Sequence, residues 1–174
     1  INKHVLKSPE KVMDNMQKVT AHVWDKLSKA GEKDPGRRCL RLIPRPDGGL
    51  LHKDSDGNYW RTMDCISGVE TFDTVQNPDQ AYQAARAFGR FQRLLLDFSP
   101  DELHDTIPDF HHTPRRFNRF LEVVEIDPVG RVSEVLGEIQ FLKDHQFETT
   151  RLLDLHDQGE LPLRVTHNDT KLNN

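Results

Sequence analysis

The chain has 174 residues, which is enough for one domain or two small lobes around a real hydrophobic core. Charged residues make up 30% of it and hydrophobic residues 35%, which is polar for a globular protein but not typical of a disordered chain. The 24 basic and 28 acidic residues give a net charge of −4, and neither sign dominates a long stretch. This balance argues against a general nucleic-acid binder and against a protein of anionic membrane surfaces.

Cysteine content and hydropathy indicate the compartment. Cys39 and Cys65 are too few and too far apart for a disulfide scaffold or a cysteine zinc site. No apolar run approaches the roughly 20 residues that span a bilayer, and no signal-peptide pattern is present. We therefore predict a cytoplasmic protein with no membrane partner and no nucleic-acid partner. Because the chain begins at Ile1 and stops inside a motif at Asn174, we also expect it to be an internal piece of a longer protein.

The first predicted element is an amphipathic helix over Pro9–Ala30. Ser8-Pro9-Glu10 has the hydroxyl, proline and acid that are typical of a helix start, and Gly31 follows the predicted end. Apolar residues then recur at spacings of three and four, which predicts that one face is buried. These residues are Val12, Met16, Val19, Val23 and Leu27.

A short strand and a hairpin are predicted next. Leu40–Ile43 is a strand by composition and is stopped by two prolines. A turn-rich stretch over Asp54–Asn58 separates two strand-like segments, 50–52 and 59–66, which is the pattern of a β-hairpin.

The remainder of the chain predicts helices. They cover Pro78–Asp97, a segment that starts at Thr113, and Val132–Gln146, each with an apolar stripe. The segment Ser99–His112 between the first two is poorly periodic and long for a loop, a feature often linked to function. The sequence thus predicts an α+β protein with a strand-and-helix part over 1–68 and a mostly helical part over 69–174.

The pattern that carries chemistry lies at the end of the chain. His167, Asp169 and Asn174 fit His-x-Asp-x-x-x-x-Asn, the pattern of a phosphoryl-transfer loop. Such a loop needs a carboxylate to accept the proton of a substrate hydroxyl, and an amide oxygen further along to bind magnesium. A short strand with Leu163 and Val165 is expected to deliver it. By itself the pattern is loose, and a polar loop with a turn-forming Asp or Asn meets it too.

Longer strings carry a resemblance to a known family. They are Asn77-Pro78-Asp79, Phe88-Gly89-Arg90-Phe91-Gln92, residues 110–117 (FHHTPRRF) and residues 161–174 (LPLRVTHNDTKLNN). From about Asn77 onward the chain resembles the aminoglycoside/choline phosphotransferase branch of the kinase-like fold, and within it the bacterial N-acetylhexosamine 1-kinases. The resemblance implies a fragment of a two-lobed protein-kinase-like fold. It also implies an enzyme that uses ATP and magnesium to phosphorylate the anomeric hydroxyl of an amino sugar.

The same resemblance implies roles for individual residues. Asp169 corresponds to the catalytic base and Asn174 to a magnesium ligand, while His167 holds the shape of the loop. Lys171 stands where many kinases place a lysine near the transferred phosphate. The segment Met63–Ile66, that is Met63, Asp64, Cys65 and Ile66, resembles the hinge whose backbone binds adenine.

Some parts of that family pattern are not in this chain. The glycine-rich loop would precede Ile1, and a second metal ligand would follow Asn174. No acid on the first helix is an obvious match for the one that pairs with an ATP-site lysine, and Glu10 and Asp14 are candidates for it. The resemblance therefore predicts that this 174-residue piece is inactive by itself.

Several alternatives stay open at this stage. The acceptor could instead be choline or an aminoglycoside, or the chain could be a non-catalytic kinase-like binding module. A metal-dependent phosphohydrolase would use the local histidines and aspartates His104, Asp105, Asp109, His111 and His112. Sulfatase chemistry needs a Cys/Ser-x-Pro-x-Arg string, which this sequence lacks.

Three smaller expectations concern side chains outside the loop. Residues 111–117 could line the acceptor side of a cleft, although a capped helix start with solvent-facing arginines is the simpler interpretation. Trp24 and Trp60 are predicted to be packing anchors. Cys39 and Cys65 are predicted to be inert core thiols in strands.

Overall fold

The computed structural model describes residues 1–171. Over this range the chain is a mixed α+β protein, which confirms the predicted class at that level. Its regular elements are α1 (Pro9–Lys29), β1 (Leu42–Ile43), β2 (His52–Lys53), β3 (Tyr59–Trp60), β4 (Thr62–Met63), α2 (Pro78–Leu94), α3 (Thr113–Ile126), α4 (Leu136–Asp144) and α5 (Arg151–Asp157). The chain forms two compact units: unit 1 is residues 1–107 with the stretch from Arg164, and unit 2 is residues 108–163.

The core of unit 1 is built on α1. Val23 and Leu27 are 1% exposed and pack with Cys39, Leu95 and Phe98. The predicted apolar face is therefore confirmed in its C-terminal half, while its N-terminal members are half-buried. Ser8 precedes the helix as predicted, but its hydroxyl makes no capping hydrogen bond.

The hairpin is confirmed, with an interruption that the sequence pattern did not show. β2 pairs with β3 and β1 pairs with β4, both antiparallel, so the predicted strand 59–66 is divided at Arg61 and ends at Met63. The interruption arises in the segment between β1 and β2, which faces Arg61. Pro44 and Pro46 in this segment have no N–H to donate. A turn closed by the Arg45 N–H to Gly49 O bond bulges out at that point.

The long loop between α2 and α3 is tied down. It begins with a 3-10 turn over Pro100–Glu102, and Leu103 packs against the core. Asn15 of α1 exchanges two 2.8 Å hydrogen bonds with the backbone of His104. The helix before the loop ends at Leu94 rather than Asp97.

Unit 2 departs further from the prediction. α3 begins at Thr113 as expected, with His112 Nδ1 accepting the Arg115 N–H. The prediction of a single helix over 132–146 was wrong. Val135 adopts φ −131° and ψ 31°, which separates a 3-10 turn from α4. Of the four apolar residues Val135, Leu136, Ile139 and Leu142, which were expected to face inward, only Ile139 is buried, and α5 was not predicted.

The segment before the candidate loop is extended chain without regular structure. The predicted strand at Leu163 and Val165 does not form in the described residues, because no neighbouring strand there offers it backbone hydrogen bonds. Val165 still packs against the unit 1 core. Within residues 1–171 no helix combines the length and hydrophobicity that crossing a bilayer requires.

Candidate functional site

The candidate loop is held against α2 by a histidine. The His167 ring meets two phenylalanines edge-on, Phe88 at 5.6 Å and Phe91 at 6.2 Å between ring centroids. Edge-to-face contacts of this kind add to the burial of aromatic rings. His167 thus has a positioning contact with the helix.

Two residues further along, the loop presents a carboxylate. Asn168 adopts the left-handed conformation, with φ 63°, and the chain bends at this residue. Asp169 follows with its side chain 62% exposed, and its Oδ2 lies 3.1 Å from Lys171 Nζ. The structure therefore brings together two predicted site residues, Asp169 and Lys171, at the solvent-exposed surface of unit 1.

A mainly apolar cavity of about 480 Å³ lies beside the loop in unit 1. Its walls come from α1, from residues 38–40 and from α2, including Phe88 and Phe91. His167 and Lys171 line it as well, together with Arg38. A volume of this size matches a small-molecule site.

The predicted hinge lies elsewhere in unit 1. Met63 pairs with Leu42 across the strands, and the Asp64 N–H donates to Arg41 O at 3.0 Å. Cys65 and Ile66 make no backbone hydrogen bond within the described residues, so their backbone groups are available to a ligand. None of the four lines the cavity next to His167.

The two acids considered on α1 differ in their surroundings. Glu10 is exposed in the first turn. Asp14 lies 2.6 Å from Lys18 Nζ and 2.8 Å from His104 Nε2, and the hydrogen bond from Lys18 lowers the pKa of its carboxyl. Asp14 therefore anchors the loop that follows α2.

Three of the five histidines and aspartates considered for a metal site have partners of their own. His104 pairs with Asp14, Asp109 with Arg115, and His112 caps α3. Across residues 1–171 no group of three or more metal-ligating side chains comes together. Asn174, the proposed magnesium ligand, lies outside the described residues.

The arginines at the start of α3 have local partners. Arg115 pairs with Asp109, and Arg116 donates to the Phe110 carbonyl with its guanidinium 5.7 Å from the Phe110 ring. These contacts agree with the interpretation of a capped helix start, because both side chains stabilise the turn that leads into the helix.

Two predictions about single side chains were wrong. Trp60 is 58% exposed rather than a packing anchor, and its indole N–H donates to Asp54 at 2.7 Å. Cys65 is exposed rather than a core thiol. Cys39 is buried as predicted, although it lies in no strand, and burial raises the pKa of its thiol.

The structure also shows a group of arginine side chains that we did not predict from the sequence. A second groove in unit 1 is lined by four arginines, three of which come from one face of α2. Their spacing, Arg86, Arg90 and Arg93, is the helical period and could have revealed them. In the comparison with models of known protein families, the chain matches none.

Proposed function

We propose that the protein is a phosphotransferase that uses ATP and magnesium to phosphorylate a sugar hydroxyl, with the anomeric hydroxyl of an N-acetylhexosamine as the first choice of acceptor. The observation that carries the proposal is the geometry of the loop. His167 is held against α2, and two residues on the solvent-exposed Asp169 carboxylate lies beside the ammonium group of Lys171.

This arrangement supports a direct transfer. The acceptor oxygen forms a bond to the γ-phosphorus as the bond to the β–γ bridging oxygen breaks, and ADP leaves with that electron pair. Asp169 takes the proton of the hydroxyl and holds the oxygen in line. Lys171, 3.1 Å from Asp169, is near enough to meet negative charge on the transferred group.

The fold part of the proposal is a piece of a kinase-like protein. The order of elements supports it, since a helix, an antiparallel hairpin and a long helix precede the loop. The free backbone of Cys65 and Ile66 is suited to an adenine edge. The lobe boundary at residue 68 and the cytoplasmic location remain predictions.

Magnesium enters the proposal through the resemblance alone. The described residues offer the Asp169 carboxylate but no cluster of further ligands, and Asn174 is not among them. We therefore derive no step through the metal. Bound magnesium would neutralise the phosphates of ATP in such an enzyme.

The test is a substrate panel with the protein expressed from its full reading frame. ADP release is followed with ATP, magnesium and, in turn, N-acetylglucosamine, N-acetylgalactosamine, choline and kanamycin. We expect release with an amino sugar, and a loss of about 100-fold or more in Asp169→Asn. The matched control is Asp105→Asn, an aspartate in the loop after α2, which should retain activity.

The other outcomes have definite meanings. Release only with choline or kanamycin keeps the chemistry but changes the acceptor. Equal loss in Asp105→Asn and Asp169→Asn contradicts the role of Asp169. No ADP release with any acceptor, together with no ATP binding, would replace the proposal with a non-catalytic binding module.

A further inference from the structure

The arginine groove of unit 1 has the features of an anion site. It measures about 640 Å³ and is lined by Arg38, Gln83, Arg86, Ala87, Gly89, Arg90 and Arg93. Four of these seven residues carry a guanidinium group, and none of the seven is acidic. Because Arg86, Arg90 and Arg93 follow the helical period, α2 presents all three on one side, and Arg38 adds a fourth from the segment after α1.

Only part of this positive charge is neutralised. Glu32 lies 2.5 Å from Arg90 and 3.8 Å from Arg38, and the hydrogen bond from Arg90 lowers the pKa of Glu32. Within the described part of the chain, the side chains of Arg86 and Arg93 make no hydrogen bond and no ion pair. Four cations and one carboxylate leave a local excess of positive charge.

The floor of the groove allows close approach. Gly89 and Ala87 lie between the arginines, and a Cβ built on Gly89 would meet nothing within 4 Å. A ligand can therefore reach the helix backbone there while guanidinium groups surround it. Guanidinium forks match phosphate oxygens in a bidentate manner, and several forks favour a ligand with several phosphates.

The whole chain argues for a small ligand rather than a macromolecule. Its net charge of −4 gives no long-range attraction for nucleic acid or an anionic membrane, whereas a groove of this volume fits a single compact anion. We propose that this groove binds a small oligophosphate, with Arg86 and Arg93 as the principal contacts. The inference does not rest on the proposed function, since none of its residues belongs to the His167–Lys171 loop.

The experiment is calorimetric titration of the protein, expressed from its full reading frame, with inorganic triphosphate in a magnesium-free buffer at physiological ionic strength. The double variant Arg86→Gln/Arg93→Gln should weaken binding by about tenfold or more. Arg61→Gln/Arg151→Gln removes the same charge from exposed positions outside the groove and should leave the affinity unchanged. Gly89→Leu fills the groove without altering charge and should weaken binding while the protein stays folded.

Other results would overturn the proposal. They are no detectable binding at millimolar triphosphate, equal weakening in both double variants, or unchanged binding in Gly89→Leu. Weakening in Lys171→Gln but not in Arg86→Gln/Arg93→Gln would move the triphosphate to the candidate loop. Tighter binding of single-stranded RNA or anionic vesicles than of triphosphate, with the same arginine dependence, would overturn the small-ligand assignment.

Discussion

Units 1 and 2 of this chain are held together in different ways. Among the described residues, eight hydrophobic side chains are buried, and only Phe117 and Ile139 of these belong to unit 2. Unit 1 joins segments distant in sequence, since the core brings Val23 and Leu27 of α1 together with Leu95 and Phe98. Unit 2 depends more on local signals, such as the His112 cap of α3 and the left-handed Asp127 that ends it.

The difference shows where precise geometry can be held. Each candidate residue of the loop that the structure describes lies in unit 1, where His167 contacts Phe88 and Phe91 of a distant segment. A short helix with few buried residues gains little from its own propensity, as α5 with no buried residue illustrates. Unit 1 therefore holds most of the buried core beside the candidate loop, and four experiments test this comparison.

The largest stability effect is expected where α2 ends. Leu95 is 1% exposed and its neighbour Leu96 is 59% exposed, so the pair is a natural matched control. Leu95→Ala should lower the free energy of unfolding by about 2–5 kcal/mol, because it leaves a cavity in the core. Leu96→Ala should change it by less than about 0.5 kcal/mol. Urea denaturation measures both, and equal effects would contradict the core assignment.

A smaller effect is expected at the tie between α1 and the following loop. Asn15→Ala removes two hydrogen bonds to His104 and should cost about 1–2 kcal/mol of unfolding free energy. Gln17→Ala, an exposed change on the same helix, should be nearly neutral. Faster amide exchange at His104 in the Asn15 variant would show that the tie is local. If exchange there stays unchanged, the two bonds do not hold the loop.

The two thiols offer a test of burial within unit 1. Cys39 is buried and its thiol pKa is raised, while Cys65 is exposed. Since the thiolate is the reactive form, Cys65 should react with Ellman's reagent at least about tenfold faster than Cys39. Cys65→Ser should remove the fast phase alone. A single phase with two equivalent thiols would mean that the core around Cys39 opens freely.

The smallest expected effect is a pH dependence in the hairpin. The hydrogen bond from the Trp60 indole, followed by that from the Asn58 N–H, lowers the pKa of Asp54 from 3.8 to about 2. Because the folded pKa is depressed, the stabilisation is complete above pH 3.8 and is lost as the pH falls towards 2.

The Trp60 indole resonance reports this titration, with that of Trp24 as an internal reference. We expect it to shift with a midpoint near 2. Asp54→Asn should abolish the shift and destabilise the hairpin, whereas Asp56→Asn, in the same turn, should do neither. A midpoint near 4 would show that the turn hydrogen bonds do not form in solution.

Local signals in the sequence were sufficient for some elements and not for others. Apolar residues recur at spacings of three and four along α1, and this pattern predicted that Val23 and Leu27 are buried. The turn residues after Lys53 predicted the hairpin. The sequence could not show that Val135 interrupts a helix, or that no strand within residues 1–171 pairs with Leu163 and Val165. These outcomes depend on which partners the rest of the fold supplies.

The candidate site also combines residues that could be predicted from the sequence with contacts that could not. A short motif pointed to Asp169, and the resemblance to a known family pointed to Lys171. The contact of His167 with Phe88 and Phe91 joins residues far apart in sequence, and it becomes visible only in three dimensions. The helical spacing of Arg86, Arg90 and Arg93 is visible in the sequence, whereas the addition of Arg38 to the groove depends on the fold.

Phosphorus NMR of the protein with magnesium, ATP and N-acetylglucosamine tests the central claim most directly. If the proposed function is correct, we expect a new phosphomonoester signal that is coupled to the anomeric proton of the sugar and grows as ADP forms. We also expect the signal to be absent in Asp169→Asn, a variant that should remain folded because the side chain is exposed. If the same signal grows at an undiminished rate in Asp169→Asn, the proposed role of Asp169 as the catalytic base is contradicted.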